Sequence, residues 1–116
     1  MVEVALLTPS GGGSGLSTWA LLDTGAGLNL FPTSYADGLG LDWASAPTAP
    51  ITGISGTADA HFLSIEMVLV DANYKWTANI GFLPTLTLPL LGHEGFFEHF
   101  EVRFKAAQRH FRIHLK

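Results

Sequence analysis

One carboxylate in this 116-residue chain stands at a position where it could act on a substrate. Asp23 follows the apolar segment Thr18–Leu22 and begins the turn Asp23-Thr24-Gly25. Burying a charge is costly unless the charge is hydrogen-bonded or partnered, so a carboxylate at this place needs a reason. The short motif leaves two interpretations open: a catalytic group that takes a proton from water, or a turn aspartate bonded to nearby backbone amides.

Short strands and tight turns must position this carboxylate. Thirteen glycines and six prolines predict many turns and an all-β architecture. The patterns predict strands at Val2–Leu7, Thr18–Leu22, Asn29–Phe31, Leu63–Val70, Tyr74–Phe82, Glu101–Lys105 and His110–Leu115, and the segment Leu86–Leu91 leads into Gly92. Thr33–Leu39 has room for a turn or two of helix capped by Thr33 or Ser34, and His93–Phe100 has the pattern of a short amphipathic helix.

The connections between these elements are marked by glycine, proline and polar residues. Ser10–Ser14 is a Gly-Ser loop, either a natural hairpin tip or an engineered linker. Pro47–Pro50 predicts a stiff connector, and Ile51–His61 predicts a Gly-rich hairpin. Asp71-Ala72-Asn73 and Ala106-Ala107-Gln108 each predict a turn between two strands.

The composition predicts one globular domain over residues 1–116. Hydrophobic residues make up 47% of the chain and charged residues 14%, which is typical of a packed core. The absence of cysteine excludes a disulfide scaffold and a thiolate metal site. No segment has the pattern of a signal peptide or approaches the roughly 20 apolar residues of a membrane helix. We therefore expect a cytoplasmic protein with no membrane partner.

The five histidines do not predict a metal site. A zinc-binding helix needs histidines at i and i+4, but position 97, four residues after His93, is Phe97. His110 and His114 would share one face of a strand, yet they would lie about 13 Å apart along it. We expect surface histidines and no metal or other cofactor.

Two further functional classes are weakly indicated. Ser55 lies in a Gly-rich loop, but no Gly-x-Ser-x-Gly nucleophile elbow surrounds it. Five of the six basic residues follow position 101, namely Arg103, Lys105, Arg109, Arg112 and Lys116. They alternate with apolar residues, which favours the solvent face of a strand pair over a nucleic-acid surface or a docking surface for another macromolecule.

The longer pattern around Asp23 resembles the retropepsin-like aspartic proteases, of the cellular and bacterial single-domain type. Ala20–Ala26, Leu30-Phe31-Pro32 and Ala36–Leu41 are similar to the active-site segment of that family. Gly53-Ile54-Ser55-Gly56 stands where the family has its flap. The second signature of the family is similar to Pro89–Gly92 followed by Gly95-Phe96-Phe97. The resemblance extends over essentially the whole chain.

The resemblance implies a closed, Gly-rich acid-protease-type β-barrel with one short C-terminal helix. It also implies an aspartic endopeptidase that works as a homodimer on peptide or protein substrates, because the chain has one Asp-Thr-Gly and the chemistry needs two carboxylates. Asp23, Thr24 and Gly25 would form the catalytic motif, and Thr24 would bond across the dimer. The residues implied to contact substrate are Ala26, Gly53, Ile54, Ser55, Gly56 and Leu90.

Two departures bear on dimer strength. Retroviral members of the family have an acidic residue after the Ala of the motif and an Arg after the Gly of the second signature, and these two residues pair. This chain has Gly27 and His93 there, so the resemblance implies that one stabilising contact is missing. An alternative to the enzyme is a catalytically silent module that uses the same fold for dimerisation or peptide binding. The intact Asp23-Thr24-Gly25 favours the enzyme.

Overall fold

The computed structural model describes residues 1–8, 15–53, 56–105 and 110–116. In these residues the chain forms nine strands and one helix: β1 Val2–Leu7, β2 Gly15–Leu22, β3 Asn29–Pro32, α1 Thr33–Gly38, β4 Thr48–Gly53, β5 Gly56–Leu69, β6 Tyr74–Leu83, β7 Leu90–Leu91, β8 Phe100–Lys105 and β9 His110–Leu115. The all-β class is confirmed. The predicted Ser10–Ser14 loop, the flap residues Ile54 and Ser55, and the turn Ala106-Ala107-Gln108 lie outside the described residues.

Seven strands form one sheet in the order β1-β2-β7-β3-β6-β5-β4, and β8 and β9 form a second, two-stranded sheet. Strand β1 also pairs with β5 through Val4 opposite Leu69 and Leu6 opposite Met67. The hydrogen-bonded neighbours therefore make a circuit of six strands from β1 through β2, β7, β3, β6 and β5 back to β1. Strand β4 lies outside this circuit and pairs with the first part of β5, residues 56–61.

Buried and less buried side chains alternate along these strands. In β1 the side chains of Val2, Val4 and Leu6 are buried and those between them are half-buried. In β6 the first three buried residues are Trp76, Ala78 and Ile80, again every second residue. A period of two places these side chains on one face of a strand, and that face covers the core.

The core lies inside the circuit of strands. Its fully buried large side chains come from different elements and include Phe31, Met67, Ile80, Phe82 and Leu91. The β8–β9 hairpin packs against this cluster, since Val102, Phe111 and Ile113 are half-buried on it and Phe100 is part of it.

The C-terminal helix predicted over His93–Phe100 is instead a run of turns. The amides of Phe97 and Glu98 donate to carbonyls five residues earlier, to Gly92 O and His93 O, which is not an α-helical pattern. Gly95 has a φ of +105°, which breaks a right-handed helix. Its carbonyl accepts a hydrogen bond from the Trp76 indole at 2.7 Å. A contact with a distant strand therefore outweighs the local helical pattern.

Two smaller predictions are also corrected. The helix predicted at Thr33–Leu39 exists as α1, but its N-cap is Pro32, without a side-chain capping bond from Thr33 or Ser34. Strand β3 runs directly into the helix, so Thr33 is already the first helical residue. The expected connector Pro47–Pro50 belongs mostly to β4, where Thr48 pairs with His61 and Pro50 with Asp59. Proline fits there because β4 ends the sheet and needs no amide on its open side.

Candidate active site

Asp23 directly follows β2 and is held in place by three hydrogen bonds. Its amide donates to Leu91 O at 3.0 Å, and its carbonyl accepts from the Ala26 amide at 3.0 Å. Its side-chain Oδ1 accepts from the Gly25 amide at 2.9 Å. The side chain is half-buried. Asp23 therefore makes the side-chain bond to a backbone amide that is expected of a turn aspartate. Its main chain is also hydrogen-bonded to β7.

The loop from Ala26 to Leu28 packs closely against the chain that follows β7. The amides of His93 and Glu94 donate to Ala26 O at 3.0 Å and to Gly27 O at 2.9 Å. A Cβ on Gly92 would lie 2.4 Å from Leu28 O and 2.6 Å from Ala26 O. Both atoms belong to the backbone and cannot rotate away, so only glycine fits this position.

Asn29 connects the two sequence signatures from inside the core. It is fully buried, and its Oδ1 accepts from the Gly92 amide at 3.0 Å. Its Nδ2 lies 3.5 Å from the sulfur of Met67. Sequence reasoning missed this residue. A polar side chain at the start of an apolar strand, directly before Leu30 and Phe31, could have indicated it. A buried amide in such a strand needs hydrogen-bond partners.

His93 contacts the Asp-Thr-Gly turn itself. Its Nε2 lies 2.7 Å from Thr24 O, across 69 residues of sequence. Its ring also lies against Phe97, with ring centroids 5.4 Å apart. The resemblance implied only that the acid–arginine pair is lost at Gly27 and His93. The structure shows that the side chain of His93 makes a different bond to the same loop.

Asp23 lies in the wall of a cavity of about 520 Å³. The cavity brings together five of the residues predicted from the sequence: Asp23, Gly25, Ala26, Gly56 and Leu90. Thr24 is exposed and lies outside the lining. The end of β4 at Gly53 pairs with Gly56 at the start of β5, and the other two predicted flap residues fall outside the described part of the chain.

The other walls of the cavity are mostly apolar and were not predicted. They are formed by Leu30, Ile51, Ala58, Leu83, Thr85 and Leu86. Ile51 and Ala58 face each other across the β4–β5 hairpin, so one register position supplies two lining residues. Among the described lining residues, Asp23 is the one ionisable side chain. A carboxylate facing apolar walls suits a site that holds an uncharged chain segment near a reactive group.

Metal-binding clusters and membrane-crossing helices are both absent from the described residues. No group of three or more His, Asp or Glu side chains is placed to hold a metal ion among them. No helix in the described ranges is long and apolar enough to cross a membrane.

The same arrangement of strands is found in a solved structure. A retropepsin-like aspartic protease from Rickettsia conorii, known from its crystal structure, superposes with a TM-score of 0.65 over 97% of this chain and 88% of that chain, at 19% sequence identity. The chain has the retropepsin-like fold. The solution structure of a simian foamy virus protease is also similar, with a TM-score of 0.49, 19% identity, and coverage of 79% of this chain and 86% of that chain.

The retropepsin-like fold is therefore established by three-dimensional similarity. No protein-family model matches the chain, and no curated protein sequence matches it. The predicted resemblance is confirmed at the level of the fold. In this structure Asp23 and Gly25 of the Asp-Thr-Gly turn, the β4–β5 hairpin and Leu90 of β7 line one cavity.

Proposed function

We propose that this chain is an aspartic endopeptidase in which two copies of Asp23, one from each subunit of a homodimer, activate a water molecule. One observation carries the proposal: Asp23, on a retropepsin-like fold, lies in the wall of a mostly apolar cavity of about 520 Å³. The turn-aspartate interpretation accounts for the bond to the Gly25 amide, but it does not account for the cavity.

In the proposed mechanism, peptide hydrolysis uses a carboxylate that accepts a proton and a carboxylic acid that donates one. One Asp23 takes a proton from water as the water oxygen bonds to the carbonyl carbon of the substrate. The other, protonated Asp23 donates to the carbonyl oxygen. The C–N bond of the resulting diol then breaks: the leaving amine takes the proton that the first Asp23 had accepted, and a hydroxyl of the diol returns a proton to the second Asp23. Two carboxylates close together share one proton, as is general for aspartic proteases.

A twofold axis must supply the second carboxylate, because the chain has one Asp-Thr-Gly motif. Thr24 is exposed beside Asp23, as a residue that bonds across the axis must be. The proposed active species is thus the homodimer, and the isolated subunit has half of the dyad.

The proposed substrate is an extended peptide with apolar side chains. Leu30, Ile51, Leu83, Leu86 and Leu90 line the cavity, and burying a leucine-sized side chain against such walls is worth about 1.5–3 kcal/mol. The β4–β5 hairpin would cover the peptide, with Gly53, Ile54, Ser55 and Gly56 next to its backbone. Hairpin edges bind extended peptides by adding a strand.

The test replaces Asp23 by asparagine, which keeps the shape and removes the base. We expect peptide cleavage to fall by about 10²–10⁴-fold or more, because a general acid–base group contributes on that order. Asp71→Asn is the matched control, since Asp71 is exposed in the turn between β5 and β6. Cleavage is measured on a peptide library, and the dimer by sedimentation.

The outcomes separate the enzyme from the silent module. Loss of cleavage in Asp23→Asn, with cleavage retained in Asp71→Asn and an unchanged dimer, supports the peptidase. If the parent dimer binds peptides without cutting them, and Asp23→Asn binds them equally well, the chain is a peptide-binding module. A chain that stays monomeric at high concentration contradicts both the dyad and the dimeric module.

A further inference from the structure

The peptide group between Thr24 and Gly25 is hydrogen-bonded at both ends. Its carbonyl oxygen lies 2.7 Å from Nε2 of His93. Its N–H donates to Oδ1 of Asp23 at 2.9 Å. A continuous chain of two hydrogen bonds therefore runs from the imidazole of His93, through one amide, to the carboxylate of Asp23.

The direction of the first bond follows from the chemistry of its atoms. A carbonyl oxygen only accepts, so Nε2 of His93 must carry the hydrogen in this contact. Such a donor draws electron density toward the carbonyl oxygen of Thr24 and makes the N–H of the same amide a better donor. Hydrogen bonds linked in this way strengthen one another by about 10–30% per bond.

The main chain of His93 is held by two backbone hydrogen bonds. The amide of His93 donates to Ala26 O at 3.0 Å, and its carbonyl accepts from the Glu98 amide at 2.9 Å. The ring contacts Phe97, whose ring centroid is 5.4 Å away. The side chain therefore reaches Thr24 O from a backbone that is itself bonded to the same loop.

We infer that His93 is a positioning residue for the Asp23 carboxylate, acting through the Thr24–Gly25 peptide group. The part of the inference that concerns catalysis rests on the proposed peptidase function. The bond to Gly25 holds one oxygen of Asp23, which sets the orientation of the carboxylate toward the cavity. His93 strengthens that bond without touching the substrate.

Several charged groups share the surroundings of His93. Glu98, Glu101 and Lys116 line, together with His93, a cavity of about 370 Å³. Glu94 is the next residue along the chain and is exposed. The variants below leave all four in place, so a difference between them reports on the donor at position 93.

The experiment compares His93→Met with His93→Gln. Both side chains are uncharged and reach about as far as Nε2 of histidine, but only glutamine has an N–H to donate to Thr24 O. With His93→Met we expect kcat to fall about two- to tenfold, the scale of one ordinary hydrogen bond, with KM changed less than twofold. We expect His93→Gln to restore kcat to within twofold of the parent.

A spectroscopic measurement tests the same bond without relying on activity. The amide proton of Gly25 should move upfield in the NMR spectrum of His93→Met and return toward the parent value in His93→Gln. Should the methionine variant fail to fold, His93→Glu replaces it, because a carboxylate next to Thr24 O is also a non-donor. That variant should shift the Gly25 signal in the same direction.

Each result points to one conclusion. Equal Gly25 shifts and equal kcat in the parent, Met and Gln proteins would overturn the role of His93 and leave the peptidase proposal intact. An equal loss in Met and Gln would also overturn it, since it would assign the effect to ring packing. A parent that cleaves nothing but shows the expected Gly25 pattern would refute the peptidase and support the coupling.

Discussion

Replacing Gly92 by alanine would place a methyl group inside the loop that carries Asp23. The added Cβ would lie 2.4 Å from Leu28 O, 2.6 Å from Ala26 O and 2.8 Å from Leu28 N. All three atoms are backbone, so no side-chain rotation relieves the contact. Backbone must move apart by about 1 Å to restore ordinary van der Waals distances near 3.5 Å.

That displacement has two measurable costs. Overpacking of this kind typically destabilises a protein by about 1–3 kcal/mol. The bonds from the His93 and Glu94 amides to Ala26 O and Gly27 O span the same gap, and each lost bond adds about 1 kcal/mol. We therefore expect Gly92→Ala to lower the free energy of unfolding by about 2–5 kcal/mol. A shift of about 1 Å at a catalytic group can also cost on the order of 10²-fold in rate.

Gly27→Ala is the matched control, because a Cβ at Gly27 meets nothing within 4 Å in the same loop. Its free energy of unfolding should stay within about 1 kcal/mol of the parent. Urea denaturation gives the stabilities, and peptide cleavage at a temperature where both variants are folded gives the rates. If Gly92→Ala unfolds within about 0.5 kcal/mol of the parent and cleaves at its rate, the close packing of the two segments has been misjudged.

Three further substitutions test contacts outside the site. Trp76→Phe removes the buried donor to Gly95 O and should cost about 1–3 kcal/mol in urea denaturation. Trp19→Phe, at a side chain that is 57% exposed, should cost less than about 0.5 kcal/mol; equal losses would contradict a structural role for the Trp76 bond. Glu66→Gln breaks the exposed ion pair with Lys75 and should change stability by less than about 1 kcal/mol. A larger loss would show that this pair is coupled to the core.

Local pattern was sufficient for much of the fold. The strands predicted at Val2–Leu7 and Tyr74–Phe82 match β1 and β6 to within a residue, and burial alternates along much of both strands. The turn at Asp71-Ala72-Asn73 was also found, and Asn73 has the positive φ of 49° that asparagine tolerates. The turn at Asp23-Thr24-Gly25 belongs with these, since three adjacent residues specify it.

Contacts between distant residues explain what the sequence did not predict. The segment His93–Phe100 has a helical pattern, but its geometry is decided by Gly95 and by the Trp76 indole. The bond from His93 to Thr24 joins residues 69 apart. Local periodicity does not predict such pairs. It indicates which face of a strand or helix a residue lies on, but not which distant residue packs against that face.

Two walls of the cavity differ in how easily they open, because β4 lies outside the circuit of strands. Asp23 is bonded to β7, inside the circuit, whereas Ile51 stands on β4, which pairs with β5 alone. Separation of β4 from β5 breaks no pair of the circuit, so it is a local opening with a lower free energy than global unfolding.

Ligand binding and amide exchange in β4 are consequently linked. A ligand that contacts both Asp23 and Ile51 must oppose this opening, and its binding free energy appears as slower hydrogen exchange in β4. The amide protons of β1 and β6, inside the circuit, exchange through larger openings, so their exchange rates respond less to the ligand. Occupancy of the cavity can thus be followed from the exchange of one edge strand, even with a ligand that is never cleaved.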